Sequence, residues 1–195
     1  MLTLKQQLNK RLFDILSSFF ALLVLIIPIL IFLAIAGFST KMTGLFKQSR
    51  IGKNGNSFTM YKIRTLKGGN HKNVQEIKHF ETGFGRWLRK TKLDELPQLY
   101  NVLRGDMSMV GPRPDVSGYA DKLQGSDRII LTVRPGITGP ATLKYKEEEK
   151  LLLQQKNSLE YNDTIIWPDK VKINKEYVTN WSFVKDMKYL YISVF

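Results

Sequence analysis

Hydrophobic and polar positions divide the chain unequally. Residues 15–38 carry no charged side chain, a stretch long enough for a transmembrane helix. Pro28 stands near its middle. Proline removes a backbone donor and clashes with the carbonyl four residues back, here that of Val24. Divided there, residues 15–27 would make roughly 20 Å of helix and residues 28–38 roughly 16 Å. Each falls short of a hydrocarbon core of about 30 Å. Lys5, Lys10 and Arg11 precede the stretch, and Lys41, Lys47 and Arg50 follow it. Basic residues favour the cytoplasmic side. A straight helix puts one of these clusters on the wrong side, whereas a helix broken at Pro28 that re-enters the same leaflet keeps both inside. Proline is tolerated in membrane helices, so the residues alone leave a kinked single-pass anchor and a re-entrant hairpin both open. The apolar core is long for a signal peptide, and no Ala-x-Ala site follows it.

From Thr40 onward the pattern is that of one soluble unit, without repeats or a long low-complexity linker. Residues 57–65 alternate apolar and polar side chains with one slip and follow the turn-rich Gly52-Lys53-Asn54-Gly55, which predicts a short strand or hairpin. Leu93, Leu96, Tyr100 and Leu103 recur at helical spacing, and Arg104-Gly105-Asp106 ends that helix. Pro112 and Pro114, then Pro135, Gly136, Gly139 and Pro140, mark two rigid loops. Residues 147–155 and 177–195 read as further helices. The last is rich in aromatics (Tyr177, Trp181, Phe183, Tyr189, Tyr191, Phe195). It reads equally as a core helix or as one lying at the headgroup level.

Composition narrows the chemistry. The 195 residues suffice for one domain with an anchor, and 43 % hydrophobic content excludes wholesale disorder. Absence of cysteine removes disulfide scaffolds, thiolate metal sites and Cys nucleophiles. The two histidines, His71 and His79, leave little for a His-rich metal site or a Ser-His-Asp triad. Thirty Lys and Arg against 17 Asp and Glu give a formal net charge of +13. An enzyme of this composition would use carboxylates for chemistry and basic residues to hold an anionic substrate.

The densest constellation is Asp94-Glu95 among Arg86, Arg89, Lys90, Lys92 and Arg104. With Pro97 in a first helical turn, Asp94 falls near the N-cap, and Asp94, Gln98 and Asn101 share a face. Asp before a helix is most often a cap. A cap, however, does not require this many cations, whereas a carboxylate attacking a phosphoryl group does, because it approaches a like charge through an anionic transition state. A divalent cation such as Mg²⁺ would help for the same reason. Arg113 between two prolines and Arg134 beside a Pro-Gly turn have rigid backbones suited to bidentate phosphate binding. Lys62 and Arg64 alternate with apolar residues on the predicted strand. The plainer reading of each is a solvated cation on a turn or strand face.

These strings resemble the monotopic phosphoglycosyl transferases, bacterial sugar transferases that start glycan assembly. The match runs from Lys10-Arg11-Leu12-Phe13-Asp14, through Gln48-Ser49-Arg50-Ile51-Gly52 and Tyr61-Lys62-Ile63-Arg64-Thr65, to Leu93-Asp94-Glu95-Leu96-Pro97-Gln98 and Asn101. It continues with Arg104-Gly105-Asp106-Met107-Ser108 and Val110-Gly111-Pro112-Arg113-Pro114. Last come Val133-Arg134-Pro135-Gly136 with Thr138-Gly139, and Tyr177 with Asn180-Trp181-Ser182. Residues 94–114 form the specific part.

The resemblance implies an α+β, mostly helical fold. Residues 1–39 would be a re-entrant membrane helix broken at Pro28. Residues 40–195 would be a cytosolic catalytic domain with short interfacial helices and a small β-hairpin, on the cytoplasmic face of the bacterial inner membrane. It implies a UDP-sugar donor, undecaprenyl (polyprenyl) phosphate as acceptor, contact with membrane lipid, and Mg²⁺. Asp94 and Glu95 would be the catalytic dyad and the candidate metal ligands, with Asp94 attacking the sugar-linked phosphate and releasing UMP, and Glu95 either a metal ligand or a proton acceptor. Lys62, Arg89 and Arg113 match phosphate-site positions, and Arg64 and Arg134 are added on the residue argument alone. The match is to the short form, in which no further transmembrane helices precede the catalytic part. After Gly139 the chain departs from many members, which continue with an aromatic, Gln-Val and Gly-Arg, so no binding role is carried onto residues 140–149. A non-catalytic membrane adapter for anionic lipid or nucleotide is the competing reading. Nucleic-acid binding is suggested by charge alone and opposed by the apolar hairpin and the lack of a helix-turn-helix or RNA-binding signature.

Overall fold

The computed structural model describes residues 2–69 and 74–194; His71 and Phe195 lie outside them. The chain is mostly helical. Helix α1 (Leu4–Thr40) leads into the hairpin β1 (Leu45–Ile51) and β2 (Ser57–Ile63). Helices α2 (Val74–Phe80), α3 (Gly83–Thr91) and α4 (Gln98–Arg104) follow, with a 3-10 turn, Leu93–Glu95, between the last two. Strands β3 (Ser108–Val110) and β4 (Gly136–Thr138) come next. Helices α5 (Pro140–Lys144), α6 (Glu148–Leu153), α7 (Ser158–Tyr161), α8 (Trp167–Thr179) and α9 (Phe183–Val194) complete the fold.

A capping box starts α1: Thr3 Oγ1 accepts from the Gln6 backbone N–H at 3.3 Å and Thr3 N–H donates to Gln6 Oε1 at 2.8 Å. Lys41, left-handed at φ 56°, ends it. Pro28 lies inside the helix, and helical structure continues across it. The expected division into two helices at that residue is therefore absent; one element covers both arms. Its central window has a mean hydropathy of 3.2 and is only 11 % buried. Phe20, Leu23, Val24, Ile27 and Ile31 are exposed. An apolar surface of that extent is one that lipid covers, not a soluble core.

The polar start of α1 turns inward. Lys10, Asp14 and Ser18, four residues apart, form a buried stripe. Lys10 Nζ donates to Asp186 Oδ2 at 2.6 Å, and that carboxylate also accepts from Tyr177 Oη and Trp181 Nε1. Asp14 Oδ1 accepts from Ser108 Oγ at 3.0 Å and the Met109 N–H at 2.9 Å. At the other end, Ala36 packs with Ile63 and Leu88, and Phe32 meets the rings of Phe84 and Trp87. Both ends of the apolar helix thus dock on the same folded unit.

The predicted hairpin is present: β1 and β2 pair antiparallel, with Gln48 opposite Met60. A second pair, β3 and β4, is parallel, and its backbones approach so closely that a Cβ on Gly136 would lie 2.1 Å from the Gly111 nitrogen. Asn101 on α4 clamps the hairpin. Its Oδ1 accepts from the Tyr61 N–H at 3.1 Å, while its Nδ2 donates to the Thr59 carbonyl at 2.8 Å and to Asp106 Oδ2 at 3.1 Å. This clamp sets β2, and hence Lys62, against the start of α4. The single aromatic helix expected over residues 177–195 is instead the end of α8 plus α9, separated at residues 180–182. Tyr177 belongs to the core, whereas Val184, Tyr191 and Ile192 are exposed.

Candidate active site

Three stretches of chain converge on Asp94 and Glu95. Lys92, left-handed at φ 60°, ends α3 and reverses the chain into the 3-10 turn that carries both carboxylates. Behind them α3 is fixed on the end of the hairpin, where the Thr82 N–H donates to the Thr65 carbonyl at 3.1 Å and Gly85 leaves no room for a side chain. Lys62, near the end of β2, and Arg113, between its two prolines, both donate to Glu95 Oε1, at 2.7 and 2.8 Å. Burial alone would raise the Glu95 carboxyl pKa. The charges and hydrogen bonds of Arg113 and Lys62 outweigh burial and hold it well below the usual carboxylate range. Glu95 in turn raises Arg113, while burial pulls the Lys62 ammonium down.

Asp94 differs in kind. It is 6 % exposed, and its Oδ1 is buried without a hydrogen-bond partner. Pro97 occupies the N-cap of α4, and no side chain caps that helix, so Asp94 does not do the work of a cap. Burial, and secondarily the Glu95 charge, raises its carboxyl pKa against the pull of Lys62, Arg89 and Lys92. Glu95 Oε1 is therefore taken by two cations and the carboxylate is fixed. Its neighbour is desolvated, carries an unsatisfied oxygen and stands among cations, as a nucleophile toward phosphorus requires.

The cations expected at a phosphate site divide into two groups. Lys62 and Arg113 meet at Glu95. Arg89 lies within electrostatic reach of Asp94 and pairs with Glu81, at 3.2 Å, and with Glu149. Arg64 stands elsewhere. Strand β2 ends at Ile63, so alternation no longer aims Arg64 beside Lys62; its Nε donates to the Thr43 carbonyl at 2.8 Å and its guanidinium lies 5.4 Å from the Phe46 ring centre. Arg134 donates to the Gly105 carbonyl at 2.7 Å, while Arg11 donates to the Val102 and Leu103 carbonyls at 2.6 and 2.8 Å. Both complement the carboxyl end of α4, the end remote from Asp94 and Glu95.

Other groups at the site carry no role in the sequence reading. Arg50 donates to Gln48 Oε1 and the Pro114 carbonyl. Burial and neighbouring Arg113 lower its pKa to about 10. Lys170 donates to both Glu148 oxygens at 2.7 Å, and the Glu148 charge reaches Arg113. Lys144 and Tyr145 both bond Asp169 Oδ2. Residues 140–149 thus border the site. Arg50 stands in a quoted string, and Asp115 directly follows one; Glu148 and Lys170 lie in polar helices with no pattern to mark them.

Burial pushes the Asp115 carboxyl up to about 6, against Lys170, Arg50 and Arg113. A raised folded-state pKa contributes stability below the unfolded value of 3.8 that is lost as pH rises through about 6. Asp115→Asn is therefore expected to melt with the wild type at pH 4 and roughly 6–12 °C above it at pH 8, since a rise from 3.8 to about 6 amounts to about 3 kcal/mol. Equal melting at both pH values would refute this.

The donor set also bears on a metal. Among the described residues no group of three or more His, Cys, Asp or Glu forms a cage. The unpartnered Asp94 Oδ1 beside Glu95 offers hard oxygen ligands. That fits Mg²⁺, which takes one or two carboxylates and completes its shell with water and substrate phosphates. An apolar cavity of about 510 Å³ lies between α1 and the folded unit, lined by Leu22, Ile26, Tyr61, Pro97, Tyr100 and Leu103 among others.

Residues 5–195 match the family model described as bacterial sugar transferase. The chain is 35 % identical over 187 residues to an uncharacterized sugar transferase, EpsL, of Bacillus subtilis, covering 95 % of this chain and 85 % of the relative. It is 36 % identical over 196 residues to a UDP-glucose:undecaprenyl-phosphate glucose-1-phosphate transferase of Klebsiella pneumoniae. It is 31 % identical over 201 residues to an undecaprenyl-phosphate galactose phosphotransferase of Salmonella typhimurium. These two matches cover 95 % and 93 % of this chain but 39 % of each relative. With the family model matched across nearly the whole chain, the protein belongs to the bacterial sugar transferase family, a family of phosphoglycosyl transferases.

Proposed function

We propose that this enzyme transfers a sugar-1-phosphate from a UDP-sugar to undecaprenyl phosphate through a phosphosugar on Asp94. The observation that carries the reading is the buried, unpartnered Asp94 Oδ1 beside the Glu95–Lys62–Arg113 cluster. In the first step an Asp94 oxygen attacks the sugar-linked phosphorus. The bond from that phosphorus to the bridging oxygen breaks, and UMP leaves with the bonding pair. In the second step an oxygen of the lipid phosphate attacks the same phosphorus, and the Asp94 carboxylate leaves with its pair, giving polyprenyl-diphosphate-sugar. Lys62 and Arg113, held by Glu95, meet the negative charge of the phosphates, and Arg89 adds to it when it leaves Glu149. Bound Mg²⁺ on Asp94 and Glu95 would supply further neutralisation of phosphate charge.

Two features support a membrane-borne acceptor. The apolar cavity beside Pro97 has one wall made by α1, a fitting channel for an isoprenoid chain whose phosphate reaches the dyad. Both ends of α1 pack on one folded unit, which favours a helix that enters and leaves a single leaflet on the cytoplasmic side. Pro28, without the N–H that would bond Val24, is where a bend costs least.

The test is UMP release by purified protein in nanodiscs against a panel of UDP-sugars, with and without undecaprenyl phosphate, and in Mg²⁺ or EDTA. The expected result is Mg²⁺-dependent release from one donor, limited to about one equivalent without acceptor and catalytic with it. Release that never exceeds background with any donor would overturn the reading.

A further inference from the structure

The α4 face next to the dyad holds a second orphan. Gln98, the first residue of α4, is 1 % exposed, and its Nε2 is buried with no hydrogen-bond partner. It lies one turn beyond Asp94, whose Oδ1 is likewise unpartnered. The next residue on that face, Asn101, is saturated by Thr59, Tyr61 and Asp106. The face therefore changes character along its length, from fully bonded at the hairpin clamp to unbonded at the dyad. The two orphans are opposite in sense. An amide nitrogen only donates and an ionised carboxylate oxygen only accepts, yet they do not bond each other. A group satisfying both offers an electron-poor centre to Oδ1 and an acceptor to Nε2. A metal ion alone meets the first need only. A phosphoryl group meets both, with phosphorus for Asp94 and a non-bridging oxygen for Gln98.

We propose that Gln98 is a catalytic residue of the first transfer, its Nε2 donating to a non-bridging oxygen of the sugar-linked phosphate as Asp94 attacks. This rests on the reading of Asp94 as the nucleophile. A buried donor held one turn from Asp94 needs no reorganisation during reaction, and loss of one such donor costs about 10²-fold in rate.

The experiment is single-turnover UMP release, without acceptor, by the full-length protein and by Gln98→Met and Gln98→Glu, alongside thermal melting. Gln98→Met keeps the length and removes the donor. Gln98→Glu keeps the shape and places an acceptor where the donor stood. Expected are a drop of about 10² in the Gln98→Met burst rate and a larger drop for Gln98→Glu. The UDP-sugar KM should change less than about threefold, since the bond strengthens in the transition state. Gln98→Met should melt no lower than the wild type, because it removes an orphan. A Gln98→Met rate within about threefold of wild type, or rate losses in both variants that merely follow lowered melting as loss of a bridging water would give, overturns this proposal while the wild-type burst upholds its parent. A wild type without a burst overturns both.

Discussion

Asp94→Asn is expected to lose at least about 10⁴-fold in UMP release, the scale of removing a nucleophile, and to melt a few degrees above the wild type. The two effects share a cause. Asp94 is buried with an oxygen that no donor satisfies, and burial raises its carboxyl pKa. A carboxyl raised in the folded state gives up stability as pH climbs through its folded value. A neutral amide gives up none. In EDTA at pH 8 the variant should therefore gain about 1 kcal/mol, or 2–4 °C, and the gain should vanish near pH 4. Activity is measured as UMP released per protein and stability by thermal melting. A cap would behave oppositely, with a lowered melting temperature and function kept, as the adapter reading requires. Retained turnover would remove Asp94 as the nucleophile.

Glu95→Gln should do the reverse to stability. Glu95 Oε1 is the shared acceptor of Lys62 and Arg113; neutralising it strands two cations, one of them largely buried. Breaking a buried pair costs 3–5 kcal/mol. Arg113 is 37 % exposed, so water screens part of that, and about 2–4 kcal/mol is expected. Melting should fall by roughly 5–10 °C. The depressed Glu95 pKa makes this contribution present above the ordinary value of 4.5 and progressively lost below it, so variant and wild type should converge in acid. Turnover should fall by at least about 10²-fold, because Lys62 and Arg113 lose the anchor that aims them. Adding Lys62→Met should restore part of the stability and none of the activity. Denaturant titration with UMP release checks both. Unchanged stability would mean the three side chains act separately.

Asp94 and Glu95 stand out as candidates because several basic residues lie close to them in sequence, and the hairpin is legible because its alternation and the turn at residues 52–55 are local. What escaped depends on partners distant in sequence. Arg64 and Lys62 look equivalent two residues apart, yet the strand stops between them, and only Lys62 reaches Glu95. Arg134 was read as phosphate-seeking for its rigid loop, and the carbonyls at the end of α4 claim it instead. Lys10 and Arg11 were read as markers of membrane sidedness, but both are consumed inside the protein. Proline chemistry pointed to a division at residue 28, where helical structure in fact continues. The break at residues 180–182 has no strong punctuation. The orphan state of Gln98 is a property of packing, invisible in a string that shows only a polar residue on a helical face.

The buried stripe on α1 also fixes an order of events during synthesis. Lys10 and Asp14 are made well before their partners: Ser108 follows Asp14 by 94 residues, Met109 by 95, and Asp186 follows Lys10 by 176. Until then these two charges, one helical turn apart, have only each other as partners. Contacts of such long sequence separation form slowly. The docking of α1 on the catalytic unit therefore waits for the later part of the chain. The Lys10–Asp186 pair then ties α1 to α9.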